Sequence, residues 1–299
     1  MSEPKENSKP LFANFEAWEE RAITDKQTYH ERQASEVFLA ALGSTPKFGK
    51  KIFLKGGVLV GAVYESGRNT ADLDFSTTIE PSMEFLAELE LELEAALPAA
   101  AAQLGSPGTI IRIQSVRYRP RKDSFVEADA PGIEVKFAFA ERGSDQEKRL
   151  LESRSNQILY ADISFNEKIE SIDKISIGQT GLSFFAYSKV DLIAEKLRSV
   201  LQQKTRNRNR RQDIYDINFL IGNYPPSQAE RNEILQVFKI KCESRSIDPN
   251  INSFNDAEVR SRSEKDWETL RSEVDHLPDF DEAYDTVLDF YRGLWIETN

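Results

Sequence analysis

Lys51-Ile-Phe-Leu-Lys-Gly-Gly57, followed by Val58-Leu-Val-Gly-Ala-Val-Tyr64, Ser66-Gly-Arg-Asn-Thr70 and Asp72-Leu-Asp-Phe-Ser76, decides how the rest of the chain is read. Residues 51–54 are a short apolar run suited to a buried strand. Gly56-Gly57 breaks it, residues 58–64 read as a helical turn or two, and residues 66–70 are loop chemistry leading into a second strand at 72–76. A strand ending in two glycines lets backbone approach a phosphate closely, because no Cβ obstructs it. A helix opening behind the pair points free N–H groups and its positive dipole end at the same anion. Asp72 and Asp74, one residue apart on a strand, project to the same face. They can therefore share divalent cations, since magnesium prefers oxygen ligands. Taken singly these signals are weak: Gly-Gly marks many tight turns, and Asp-x-Asp is commonly a pair of surface carboxylates. In this order they predict a site for a nucleoside triphosphate and its metal, with Lys55, Gly56 and Gly57 on the triphosphate side.

Outward from this stretch, the first ten residues are polar and read as a disordered tail. Helical patterns cover 15–23 and 27–42, ended by Gly43 and Pro46. A long helix is expected from Pro81-Ser82 to about residue 104, with Phe85, Leu86, Leu89, Leu93 and Leu97 inward and Pro98 kinking or shortening it. Residues 109–119 have strong β character, and Arg117, Arg119 and Arg121 at alternate positions make one face basic. Further strands are expected at 132–140, 157–165 and, more weakly, 174–177. After Gly181 the pattern turns helical. Ser188 is an N-cap candidate with Asp191 three residues on, and Ile193, Leu197, Val200 and Leu201 form an apolar stripe. Helices at 211–221, 228–242, 255–274 and 280–295 complete the pass. The expected organisation is an α/β domain over residues 11–182 and an all-helical domain over 183–299.

Composition narrows the chemistry. One cysteine, Cys242, excludes an internal disulfide framework and a multi-cysteine zinc site. Two histidines, His30 and His276, argue against histidine-rich metal sites and a Ser-His-Asp triad. No apolar run approaches the length of a membrane span, and the opening MSEPKENSKP does not read as a secretory signal, so a cytoplasmic location is expected. The net charge is −11 from 39 basic and 50 acidic residues, but it is unevenly spread. Residues 80–94 carry six acids and no base, and residues 254–299 carry thirteen acids and five bases. Lys204-Thr-Arg-Asn-Arg-Asn-Arg-Arg211 has five bases in eight residues. Such a run is either a solvated inter-helix loop or a local phosphate-binding patch.

The central stretch resembles the AbiEii-like nucleotidyltransferases, toxins of type IV toxin–antitoxin systems that include the MenT-type enzymes. The matching pieces are Phe53-Leu-Lys-Gly-Gly57, Ala71-Asp-Leu-Asp-Phe-Ser76, Ala161-Asp-Ile-Ser164, Ala194-Glu-Lys-Leu-Arg198 and Arg211-Gln-Asp-Ile-Tyr-Asp216. The resemblance implies an α+β fold: a DNA-polymerase-β-like nucleotidyltransferase core, a mixed sheet with flanking helices, followed by an all-helical C-terminal domain. It implies metal dependence, nucleotide addition to the 3′ acceptor end of tRNA with arrest of translation, and a cognate antitoxin partner. Carried across, Gly56 and Gly57 would cradle the triphosphate and Asp72 and Asp74 would hold Mg²⁺ or Mn²⁺. Lys196 would contact the triphosphate, and Asp213 would be a further essential acid. The chain departs from many relatives in having Gly57 where they carry serine, and Gln212 where a lysine or proline often precedes the acid.

In-line phosphoryl transfer also needs a carboxylate near the attacking hydroxyl. Asp162, inside a strand with apolar neighbours, is favoured over Glu134, since an acid there is costly to bury without a cation. A strand acid facing solvent is the alternative. For Lys196 the alternative is a snorkelling lysine, and for Asp213 a structural pairing with Lys196. Arg206, Arg208, Arg210 and Arg211 are the candidate RNA contacts, without an aromatic to stack bases. The expected activity is transfer of NMP from NTP to RNA with release of pyrophosphate. A protein or small-molecule acceptor, and a non-catalytic protein that binds NTP or antitoxin, are the competing readings.

Overall fold

The computed structural model describes residues 3–296. The chain resolves into two compact units. The first comprises residues up to Glu65, 70–167 and 172–186; the second comprises 66–69, 168–171 and the chain from Tyr187 onward.

The first unit is built on a mixed sheet whose central strands carry the stretch quoted at the outset. β1 (Lys5–Glu6) and β2 (Leu11–Ala13) both pair with β8 (Ser171–Ile177), at one end of the sheet. Inward from β8 follow β9 (Ser183–Tyr187), β3 (Ile52–Lys55), β4 (Leu73–Thr77), β7 (Ile158–Ser164), β6 (Gly132–Glu141) and β5 (Thr109–Arg119). β3 runs antiparallel to β4, β4 parallel to β7, and β7–β6–β5 are antiparallel. The strands alternate. Leu73 and Phe75, Ala161 and Ile163, and Ile133 and Val135 are buried, whereas Asp74, Asp162 and Glu134 between them lie on the other, half-exposed face.

The helices of this unit are α1 (Phe15–Glu20), α2 (Lys26–Ser44), α3 (Gly56–Ala62), α4 (Phe85–Gln103) and α5 (Asp145–Leu151). Asp25 caps α2 by accepting from the Gln27 N–H at 3.1 Å. The second half of α2, from Val37 to Leu42, is buried without a break, so it lies in the core and not along its rim. Its Phe38 ring sits 6.2 Å from Phe75 and 4.7 Å from Phe137, covering the apolar face of β4 and β6. α4 begins at Phe85 and runs through Pro98 unbroken, where the sequence suggests a kink or an earlier end. An interior proline costs about 3 kcal/mol. The buried Leu89, Leu93 and Leu97 each contribute about 1.5–3 kcal/mol, which outweighs that cost. On the α1–α2 pair, Glu19 is 9% exposed. Burial and the Glu36 carboxylate push its pKa up to about 8.

Three strands escape the sequence pattern. β1 replaces the expected disorder of the tail within its described part, with Asn7 donating to Asp173 Oδ1 at 2.7 Å; residues 1 and 2 lie outside the described residues. β2 and β9 are too short, at three and five residues, to show a period. β9 takes the sheet past residue 182, so the division from the second unit falls at 186/187.

The second unit contains α6 (Lys189–Gln202), α7 (Arg211–Asn223), α8 (Gln228–Glu243), α9 (Ala257–Glu264) and α10 (Phe280–Ile296). Ser188 caps α6 as expected, accepting from the Asp191 N–H at 3.1 Å, and Ile193, Leu197 and Val200 are fully buried. Ser227 and Glu230 form a capping box at the start of α8. The single helix expected over 255–274 is divided in two. Asp266 adopts a left-handed backbone (φ 61°), which ends α9 and starts a separate 3₁₀ segment, Trp267–Ser272.

Candidate active site

Across the half-exposed face of the sheet, five charged residues stand opposite one another on five adjacent strands: Lys55, Asp74, Asp162, Glu134 and Arg117. Lys55 is in register with Asp74, Asp74 with Asp162, Asp162 with Glu134, and Glu134 with Arg117. Directly opposed residues share a face and lie about 5 Å apart. Asp72 lies just before β4 and is exposed. Of the predicted residues, the sheet unit thus holds Lys55, Gly56, Gly57, Asp72, Asp74 and Asp162.

Gly56 is fixed by two constraints. Its φ is +74°, which disfavours any side chain. A Cβ there would also fall 2.9 Å from Asp74 Cγ, so the absent side chain is what seats the carboxylate. Gly57 is buried at the start of α3. Because α3 is only seven residues long, a phosphate cradle there rests on glycine backbone and Lys55 and not on a long helix dipole. Lys55 Nζ lies 3.4 Å from Ser164 Oγ, two strands away.

Asp72 and Asp74 offer hard oxygen donors, which suit a divalent cation such as magnesium, and Gly56 leaves the space that the Asp74 carboxylate occupies. The third carboxylate is engaged otherwise. Arg119 Nη2 donates to both oxygens of Asp162, to Oδ2 at 2.5 Å, and its Nη1 lies 3.4 Å from Glu134 Oε1. Arg117 also pairs with Glu134, at 3.3 Å. Among the described residues no group of three acids, histidines or cysteines is gathered as a ready cation cage. Asp162, in register with Asp74, is better placed than Glu134 one strand further.

Lys196 and Asp213 belong to the helical unit. Lys196 on α6 is buried and donates to Asp216 Oδ2 at 2.6 Å and to Asp213 Oδ1 at 3.1 Å, both on α7. The pairing foreseen as an alternative for Asp213 is therefore present, and so is a partner that sequence reasoning missed. Asp216 is fully buried and also accepts from Arg68 Nη1 at 2.5 Å. The signal was the i, i+3 spacing of Asp213 and Asp216 on one helix. Burial alone would lower the Lys196 pKa, but the Asp216 and Asp213 carboxylates hold it above the usual lysine range. Burial likewise opposes ionisation of Asp213, and Lys196 with Arg210 reverses this, holding its carboxyl below the usual range.

In the basic loop, Lys204 pairs with Asp256 at 2.6 Å, Arg210 with Asp213 at 3.7 Å and Arg211 with Glu273 at 3.8 Å. Arg206 and Arg208 are exposed. Cys242 is a buried thiol whose pKa burial pushes up to about 12, so it is packed and inert.

The family model of the AbiEii nucleotidyl transferase toxins of type IV toxin–antitoxin systems matches residues 37–287. The chain belongs to the AbiEii family. No curated protein matches its sequence significantly. Among solved structures, the fold is similar to MenT4, a nucleotidyltransferase toxin from Mycobacterium tuberculosis, with a TM-score of 0.53 and 16% identity over 95% of this chain and 90% of that one. It is also similar to a nucleotidyltransferase structure from H. pylori (TM-score 0.51, 13% identity, 92% and 97% covered) and to JHP933 from Helicobacter pylori (0.50, 14%, 92% and 94%). At these identities the likeness concerns the fold. AbiEii membership supports nucleotidyl transfer, and it implies an NTP substrate and an antitoxin partner.

Proposed function

We propose that this AbiEii protein transfers a nucleoside monophosphate from an NTP to an RNA hydroxyl, with the 3′ end of tRNA as acceptor, and so inhibits translation in the cytoplasm. The acceptor oxygen bonds to the α-phosphorus as the bond to the β-phosphate oxygen breaks, and pyrophosphate leaves. The observation that carries the reading is the in-register row Lys55–Asp74–Asp162 beside a glycine whose missing Cβ seats Asp74. In this reading Asp72, Asp74 and Asp162 hold Mg²⁺ or Mn²⁺, which when bound offsets triphosphate charge and favours ionisation of the attacking hydroxyl. Asp162 orients that hydroxyl and takes its proton. Lys55 and the Gly56–Gly57 backbone bind the triphosphate. Lys196 adds an ammonium that Asp213 and Asp216 keep charged. Catalysis then comes from positioning and electrostatics, with no covalent enzyme intermediate. No described helix is long and apolar enough to cross a membrane.

Incubating the protein with each labelled NTP, total RNA and total protein, with Mg²⁺ or with EDTA, tests this. Label in tRNA-sized RNA that disappears with EDTA is expected. A second reading, in which the acceptor is a protein or small molecule, is favoured by the −11 charge and by the carboxylates that engage Lys204, Arg210 and Arg211. Label found only outside RNA would select it.

A further inference from the structure

Arg119 reaches Asp162 from two strands away, and the route is built. On β5 it is in register with Gly132 of β6, which is in register with Ser164 of β7. A Cβ at Gly132 would meet Arg119 Nη2 at 2.8 Å and Nε at 3.2 Å, so the guanidinium lies across the glycine in space that any other residue would take. Beyond it, Nη2 donates to both Asp162 oxygens, and Nη1 adds the contact with Glu134. A positive group therefore sits on the carboxylate that stands in register with Asp74. The Arg119 and Asp162 side chains are 34% and 32% exposed, open enough to exchange partners with solutes.

We infer that Arg119 is a resident counter-ion of the third carboxylate, competing with a divalent cation for Asp162 and setting how much cation the site needs before it loads. This rests on the proposed reading of Asp72, Asp74 and Asp162 as cation-holding residues. Two like charges cannot both stand against one carboxylate without strong repulsion, so a cation that engages Asp162 does so as the guanidinium leaves. Arg119 is then a positioning residue that acts through Asp162. Gly132 is what permits the arrangement.

Direct Mn²⁺ titration of the full chain, with free Mn²⁺ read by electron paramagnetic resonance and no nucleotide present, tests the inference without reference to turnover. Arg119→Gln is expected to tighten Mn²⁺ binding about tenfold or more, the loss of one direct competitor. Arg117→Gln removes the same charge from a neighbouring strand position that pairs, among the described residues, with Glu134 and not with Asp162, and is expected to change affinity less than threefold. Gly132→Ala keeps every charge and only displaces the guanidinium, so it is expected to shift affinity in the direction of Arg119→Gln, and it serves if that variant does not fold. Equal effects of Arg119→Gln and Arg117→Gln, or no effect of Gly132→Ala in a folded protein, would overturn the competition. Asp74→Asn tests the underlying reading separately: unchanged Mn²⁺ binding there removes the site itself, whatever Arg119 does.

Discussion

The two units hold their charges in opposite ways. In the sheet unit, Lys55, Asp74, Asp162 and Glu134 lie half-exposed and Arg117 exposed, each placed by strand register opposite the next. In the helical unit, Arg68, Lys196, Asp213 and Asp216 are joined by three hydrogen bonds at 2.5–3.1 Å, with Asp216 inaccessible to solvent. Charges that exchange partners with a substrate must stay within its reach, and the first arrangement allows that. Charges buried and mutually bonded hold a geometry, and removing one leaves another uncompensated. The contrast teaches that the motif residues divide into those a solute can reach and those buried in contact with one another.

The largest effect expected from this contrast is on the sheet. Asp74→Ala should lower nucleotidyl transfer by about 10³- to 10⁴-fold, several kcal/mol of transition-state stabilisation, while the melting temperature stays within a few degrees of the parent. A variant that kept its activity would erase the distinction. Next, Asp216→Ala should cost about 3–5 kcal/mol of stability, measured by urea unfolding, because Lys196 and Arg68 lose a buried partner. Stability close to the parent would mean the cluster is not structural. Gly56→Ala should cost about 1–2 kcal/mol for its left-handed backbone and lower transfer as well, since the new Cβ collides with the Asp74 carboxylate. Loss of stability without loss of transfer would detach the glycine from the site.

The smallest effect, at most about 1.4 kcal/mol per pH unit for one group, separates the units by sign. Glu19 has a folded pKa raised from 4.5 to about 8, so its burial favours folding at low pH, and that advantage is lost as pH rises from about 4.5 to 8. Asp213 has a lowered folded pKa, so the stability it lends is present above the ordinary aspartate range and lost as pH falls through its folded value. Unfolding curves across pH should lose the first slope in Glu19→Gln and the acid-side slope in Asp213→Asn. If neither substitution altered its slope, these groups would not be coupled to folding.

Much of the sheet was legible because its long strands carry an unmistakable period: 109–119 is observed to the residue, and 132–140 and 157–165 to within one. Asp74 was legible because alternation on a strand fixes a face, whereas Asp72 lies in the loop that leads into β4. What sequence could not supply is register. Nothing in the order of residues says that Asp162 stands opposite Asp74 or that Arg119 lies over Gly132, since the first follows from pairing of β4 with β7, far apart in the chain, and the second from the register of β5 on β6. The tight partners of Lys196 were hidden for a related reason, because Arg68 joins them from a loop far upstream. The breaks were also illegible where one residue decided: Asp266 ends α9 by a single left-handed step within an otherwise helical pattern.

The short segments 66–69 and 168–171 belong to the helical unit although the chain on both sides of each belongs to the sheet unit. The polypeptide therefore changes unit five times before it ends, and no single cut yields either unit whole. A shortened protein that stops at residue 186 would keep Arg68 but lose Asp216, which accepts its hydrogen bond. Attempts to borrow the sheet as a portable module must therefore splice at several junctions, and separating the units by limited proteolysis requires more than one nick.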